Sequence, residues 1–92
     1  MKLKGTNFQI KVWLQLVKIP PGTVKTYKSI AIKLKKPNAA RSVASACAKN
    51  PYAPKIPCHR VIRSDGKMGG YSGRGGIKTK KKLLKKEGYL VK

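Results

Sequence analysis

Apolar residues recur with helical spacing in four stretches of this 92-residue chain and with extended spacing in two short ones. Between Thr6 and Lys18, Phe8, Val12, Trp13 and Leu16 fall on one face of a 3.6-residue repeat, and Thr6 with Gln9 has capping-box spacing. This predicts a first helix that ends before Pro20-Pro21-Gly22. Val24-Lys25-Thr26 reads as a short extended piece, followed by a second helix capped by Thr26 with Tyr27, Ile30, Ala31 and Leu34 inward, packed on the first. Pro37 and Asn38 break the chain and open a third helix to about Lys49, with Ala39, Val43, Ala46 and Cys47 inward. Pro51, Pro54 and Pro57 then preclude helix. Val61-Ile62 suits a short strand, Ser64 to Lys67 a turn, and Met68 to Gly76 is glycine-rich. A last helix spans about Ile77 to Glu87, with Ile77, Leu83 and Leu84 inward, lysines outward and Gly88 as its stop.

The pattern predicts one mainly α domain with short β elements. Two helices joined by a turn of a few residues match a helix-turn-helix, whose later helix enters a groove. That helix carries Arg41 on a face with Ser45 and Ala48, Ala44 alongside, so nothing bulky keeps it from a duplex. Ala40, Arg41 and Ser45 are its candidate DNA contacts. Small residues there are equally compatible with an ordinary exposed helix surface.

Charge sharpens the picture: 23 basic residues face only Asp65 and Glu87, a formal net charge of +21. Such a surface favours a polyanion, because lysine and arginine that neutralise phosphates release condensed counterions. Any single lysine also fits a merely solvated face. No apolar run approaches the ~20 residues of a membrane span, and the start lacks a signal-peptide core, so a cytoplasmic, nucleoid-associated location is expected, or a nuclear one in a eukaryote. Both cysteines are expected to be reduced, and two cysteines with one histidine do not make the usual four-ligand zinc site.

The candidate chemistry lies in Pro57-Cys58-His59-Arg60-Val61, where a cysteine stands between a rigid proline and the chain's single histidine. Cysteine attacks as the thiolate, and cationic neighbours favour that form. His59 is placed to relay its proton, and Glu87 is one of two acids able to hold the imidazole. Adjacent side chains on an extended backbone point apart, so a water between Cys58 and His59 is expected, with Asn50 bracing the loop. Read alone, Glu87 is also a plain helix-end acid, and His59 suits a phosphate contact or the core. Cys47, on an inward helix face, reads as a small core residue.

Taken together, Pro57 to Val61, Asn50-Pro51 upstream, Tyr27, Arg41, Gly70-Tyr71-Ser72-Gly73 and Glu87-Gly88 resemble the O(6)-alkylguanine-DNA alkyltransferases, from about Phe8 through Gly88. The resemblance implies a winged-helix-like three-helix DNA-binding domain plus active-site loop and C-terminal helix, over 1–92, without the amino-terminal domain of longer members. It implies direct, single-use DNA repair, a methylated-DNA-protein-cysteine S-methyltransferase activity acting on double-stranded DNA that contains alkylated guanine. A monomer is expected, with no cofactor, since the lesion supplies the alkyl group.

By the same resemblance, the damaged nucleotide is rotated out of the stack. Arg41 fills the vacated place, and Tyr27 crowds the target phosphate and protonates the departing guanine. The base pocket draws on the carbonyls of Cys58 and Val61, on Ser72 near the 6-oxygen and on Tyr71 as a wall. Cys58, His59, Glu87, Asn50 and Tyr27 are thus the implied catalytic set. The rival readings are a non-enzymatic helix-turn-helix DNA binder and a lesion-signalling protein. Related lesion-binding proteins have tryptophan where this chain has Cys58, and the joint spacing of Tyr27, Arg41, Asn50, Cys58 and Glu87 separates transfer from binding alone.

Overall fold

The computed structural model of the chain describes residues 3–53, 55–69 and 76–89. The described residues form four α-helices, α1 (Asn7–Val17), α2 (Tyr27–Lys33), α3 (Ala40–Ala48) and α4 (Gly76–Lys86), and two strands of two residues, β1 (Lys25–Thr26) and β2 (Val61–Ile62). The strands run parallel, with Lys25 opposite Val61 and Thr26 opposite Ile62. This small pairing ties the entrance of α2 to the segment just after Cys58.

Helix ends follow local chemistry. Thr6 Oγ1 accepts from Gln9 N at 3.1 Å while Gln9 Oε1 accepts from Thr6 N at 2.9 Å, a reciprocal box. Thr26 and Ser29 repeat it at the start of α2, both at 3.0 Å. At the end of α4, Tyr89 N donates to Leu84 O and Gly88 N to Lys85 O, the paired bonds of a Schellman stop, with Gly88 at φ +91. The same two-bond stop closes α2, from Lys36 N to Ala31 O and Lys35 N to Ile32 O, but Lys35 occupies the left-handed position at φ 62. A side chain there costs about 1–2 kcal/mol that glycine avoids.

Burial departs from the sequence expectation in three places. α3 is the central helix, packed on both α1 and α2, so α2 rests chiefly on α3 rather than on α1. The chain after Pro37 turns first, with Ala39 N bonded back to Lys36 O, and becomes helical only at Ala40, with Ala39 as an N-cap that has no side-chain bond. Ile77, expected inward, is 48% exposed, and Leu83 is half-buried. The inward positions of α4 are taken by Leu84 and Lys80, a helical turn apart and both at 0% exposure. The core otherwise joins Val12, Trp13 and Leu16 of α1 to Ile30, Val43, Ala46, Cys47, Ile56 and Val61. Trp13 Nε1 donates to Ala46 O at 2.9 Å, and its ring meets Tyr52 edge-on at 5.7 Å, which locks α1 to α3. Among the described residues no helix is long and apolar enough to cross a membrane.

Candidate active site

Three devices fix the Cys58 segment. Asn50, buried just past α3, donates from Nδ2 to Ile56 O and accepts at Oδ1 from Tyr52 N, both at 2.9 Å, so it bridges the two ends of the proline-rich loop. Cys58 N donates to Ile56 O at 2.8 Å. Residues Cys58–Arg60 then form one turn of 3₁₀ helix, and not the extended backbone on which a side-to-side separation of Cys58 and His59 was expected. Cys58 is only 2% exposed, more enclosed than a thiol at the bottom of an open crevice.

On the far side of that turn, His59 Nε2 lies 3.0 Å from Glu87 Oε2. The carboxylate also accepts from Arg60, Nε to Oε1 at 2.9 Å and Nη2 to Oε2 at 2.7 Å, and Arg60 Nη1 donates to Ile19 O at 2.7 Å. This fork holds the Glu87 carboxyl at about pKa 2, first through the Arg60 hydrogen bonds and then through His59, against a burial that pushes it up. Arg60 escaped the sequence reading, although its signal was present: in a chain with two acids, an arginine beside the histidine competes for the same one. Asp65, given no chemistry, pairs with Arg63 at 3.0 Å and caps Lys67 N in the turn.

Lys80 is the second residue that the sequence reading missed. Its Nζ donates to Val61 O at 2.7 Å and to Met68 O, and lies 3.4 Å from the Tyr27 hydroxyl. Burial lowers its pKa to about 8, opposed by the negative charge available at Cys47 and Cys58. Its place beside Leu84 on the inward face of α4 was legible as phase, but lysine is almost never fully buried unless paired. Tyr27 itself is buried, and its hydroxyl is pushed up to about pKa 12, mainly by burial and then by Cys47 and Cys58. Cys47 is a buried core thiol raised to about 12 by the same cause.

The two carbonyls expected to receive the base already accept internal bonds, Cys58 O from Val61 N and Val61 O from Lys80. Each oxygen retains a second lone pair. Tyr71 and Ser72 lie outside the described residues.

Tyr27 also lines an open concavity of about 490 Å³ with Ala40, Arg41, Ala44 and Ala48 of α3 and with Arg63, Ser64 and Gly69. The small residues make its wall and leave Arg41 exposed at its edge. Ser45 is exposed but does not line it, and Cys58 is not among its lining residues. Gly69, at φ +71, lets the chain approach Tyr27 so closely that a Cβ there would stand 2.6 Å from the hydroxyl. The structure therefore brings Tyr27, Arg41 and Ala40 to one face, and Asn50, Cys58, His59 and Glu87 to a second cluster, with Tyr27 and Lys80 between them.

Fold and site together define a basic helix-turn-helix domain with a cysteine, histidine and glutamate cluster built in beside it. The chain belongs to the family described as 6-O-methylguanine DNA methyltransferase, DNA binding domain, which matches residues 7–89. It is similar to the methylated-DNA--protein-cysteine methyltransferase of Methanosarcina barkeri, 51% identical over 91% of this chain and 52% of that protein. Mycobacterium tuberculosis OGT in complex with DNA superposes with a TM-score of 0.88 at 46% identity, covering 94% of this chain and 52% of that one. S. pombe Atl1 in complex with damaged DNA containing O6-carboxymethylguanine gives 0.80 at 32% identity, over 94% and 80%. The chain thus spans about half the length of the first two.

Proposed function

We propose that this chain repairs duplex DNA by moving an alkyl group from the 6-oxygen of guanine to Cys58, once per molecule. The observation that supports this most directly is the Cys58-His59-Arg60 turn, whose imidazole sits 3.0 Å from Glu87 in a chain that belongs to the alkylguanine methyltransferase family. In this reading the α3 face docks on DNA, the small wall residues admit the backbone, and the Arg41 guanidinium stacks in the space left by the rotated nucleotide.

The sulfur of Cys58, having lost its proton through His59, attacks the alkyl carbon. A carbon–sulfur bond forms as the carbon–oxygen bond breaks, and the electron pair leaves on guanine. A proton from the Tyr27 hydroxyl neutralises that base, an assistance typically worth about 10²–10⁴ in rate. A phenol with a pKa near 12 is a weak donor, and the Lys80 ammonium 3.4 Å away stabilises the phenolate that would result. Glu87 fixes the His59 ring through the 3.0 Å contact to Nε2. Because Cys58 is 2% exposed, entry of the base must uncover the thiol locally.

Incubation with duplex DNA bearing O6-methylguanine tests this directly: mass spectrometry should find one methyl in place of one proton, on Cys58, and Cys58→Ala should bind the duplex unmodified. Wild-type protein that binds the lesion yet stays unmodified at saturation overturns transfer. The likeness to Atl1, over 80% of that chain, then favours the non-enzymatic reading, lesion binding alone.

A further inference from the structure

Six of the eleven residues of α4 are lysine, and only Lys80 is used by the core. Lys78, Lys81, Lys82, Lys85 and Lys86 are all exposed. At about 100° per residue, Lys78, Lys82 and Lys85 project within about 60° of one another, opposite the buried Lys80 and Leu84. Folding gives little reason for this. Lys78 and Lys82, like Lys81 and Lys85, are like charges four apart, which repel. The first turn contains no acid, so Lys78 faces the positive end of the helix dipole unaided. Only Lys85 and Lys86, in the last turn, suit the dipole. The chain's two acids are engaged elsewhere, Glu87 by His59 and Arg60, Asp65 by Arg63.

This face is continuous with the Arg41 concavity. A second open concavity is lined by Arg63, Gly66, Lys67, Met68, Gly69, Ile77 and Lys81, and it shares Arg63 and Gly69 with the first. A basic path therefore leads from Arg41 past Arg63 and Lys67 to Lys81 and so onto the outer face of α4, interrupted only by the Asp65 carboxylate on Arg63.

We propose that this path is a phosphate track, along which α4 extends the footprint of the bound duplex beyond the base-flipping groove and binds it without regard to sequence or lesion. The inference rests on the reading of duplex DNA as the partner. The lysines of the track neutralise backbone phosphates and release their counterions.

The test compares undamaged duplex binding by the wild-type chain, a variant with Lys78, Lys81, Lys82 and Lys85 changed to Gln, and a charge-matched variant with Lys11, Lys18, Lys25 and Lys33 changed to Gln. Each phosphate contact contributes about 0.9 to the slope of log K against log salt, so the α4 variant, with four lysines removed, should lose about 3.6 from its magnitude. Its nuclease footprint should also shorten at one end, while the matched variant loses less than half as much slope and keeps its footprint. Glutamine is a good helix former, and changing the same four residues to Arg should restore both readouts. Equal losses in the two Gln variants, or an unchanged footprint in the α4 variant, overturn the track but leave the transfer reading standing. A wild-type chain that fails to bind duplex DNA overturns both.

Discussion

With only two side-chain carboxylates in 92 residues, acid unfolding of this protein should report almost a single site. Glu87 is held at about pKa 2 against an ordinary value of 4.5 by Arg60 and His59. A carboxylate whose folded pKa lies below its unfolded value adds stability that is complete above about pH 4.5 and is lost as pH falls to about 2. At 1.36 kcal/mol per unit the shift corresponds to about 3 kcal/mol, and with the carboxylate 16% exposed, solvent screening brings the figure to about 2. Glu87→Gln should cost about that much at neutral pH, near 10 °C of melting temperature for a domain this small. The assay is thermal or urea unfolding between pH 2 and 6. The wild-type curve should fall towards the variant's as pH drops and meet it near pH 2, while Asp65→Asn, which removes an exposed pair of little worth, keeps the wild-type acid limb. A Glu87→Gln variant with an acid limb as steep as the wild type's would refute the Arg60-Glu87-His59 account.

At the alkaline end, Lys80 has its folded pKa lowered to about 8, so the unfolded chain binds more protons and stability should rise from about pH 8; Cys47 and Tyr27, both raised to about 12, act the other way from about pH 9 and 10. Urea midpoints should therefore peak near pH 9 and fall steeply above 10.5, and Lys80→Met should abolish the rise between pH 8 and 9. Gly69→Ala forces a Cβ against the Tyr27 hydroxyl at a left-handed position, which should cost about 1–2 kcal/mol in unfolding experiments. It should also slow single-turnover alkyl transfer by at least tenfold, and a wild-type rate would mean that the Tyr27 position is unimportant.

The helices and most of their caps were legible because they depend on neighbours a few residues away: Thr6 with Gln9, Thr26 as the cap of α2, and Gly88 as the stop of α4. The Cys58, His59, Glu87 and Asn50 cluster was legible for a different reason, since the chain has one histidine and two acids and a motif fixes their order. What failed were questions of three-dimensional competition. Ile77 and Lys80 both had claims to the inner face of α4, and hydropathy alone gives it to the isoleucine. Two backbone carbonyls, Val61 O and Met68 O, needed a donor that an apolar side chain cannot supply, and a lysine stem is long and apolar enough to deliver one. Likewise, an extended backbone at Cys58 followed from the prolines before it, but Arg60 N bonds back to Pro57 O and curls the segment into a turn.

Both misses concern the same joint. Lys80 crosses from α4 to Val61 at the start of β2 and to Met68 beside Gly69, while Arg60 crosses from the cysteine turn to Ile19 just past α1 and to Glu87 just past α4. The two strands alone, two residues each, are too short to hold the helix-turn-helix against the cysteine segment. Two long cations reinforce the shared core there, Lys80 by satisfying the carbonyls of Val61 and Met68 and Arg60 by donating to Ile19 O and to the Glu87 carboxylate. A strongly basic composition is usually read outward, towards phosphates. Here two of its members are turned inward, where Lys80 joins α4 to Val61 and Tyr27 and Arg60 joins the cysteine turn to Ile19 and Glu87.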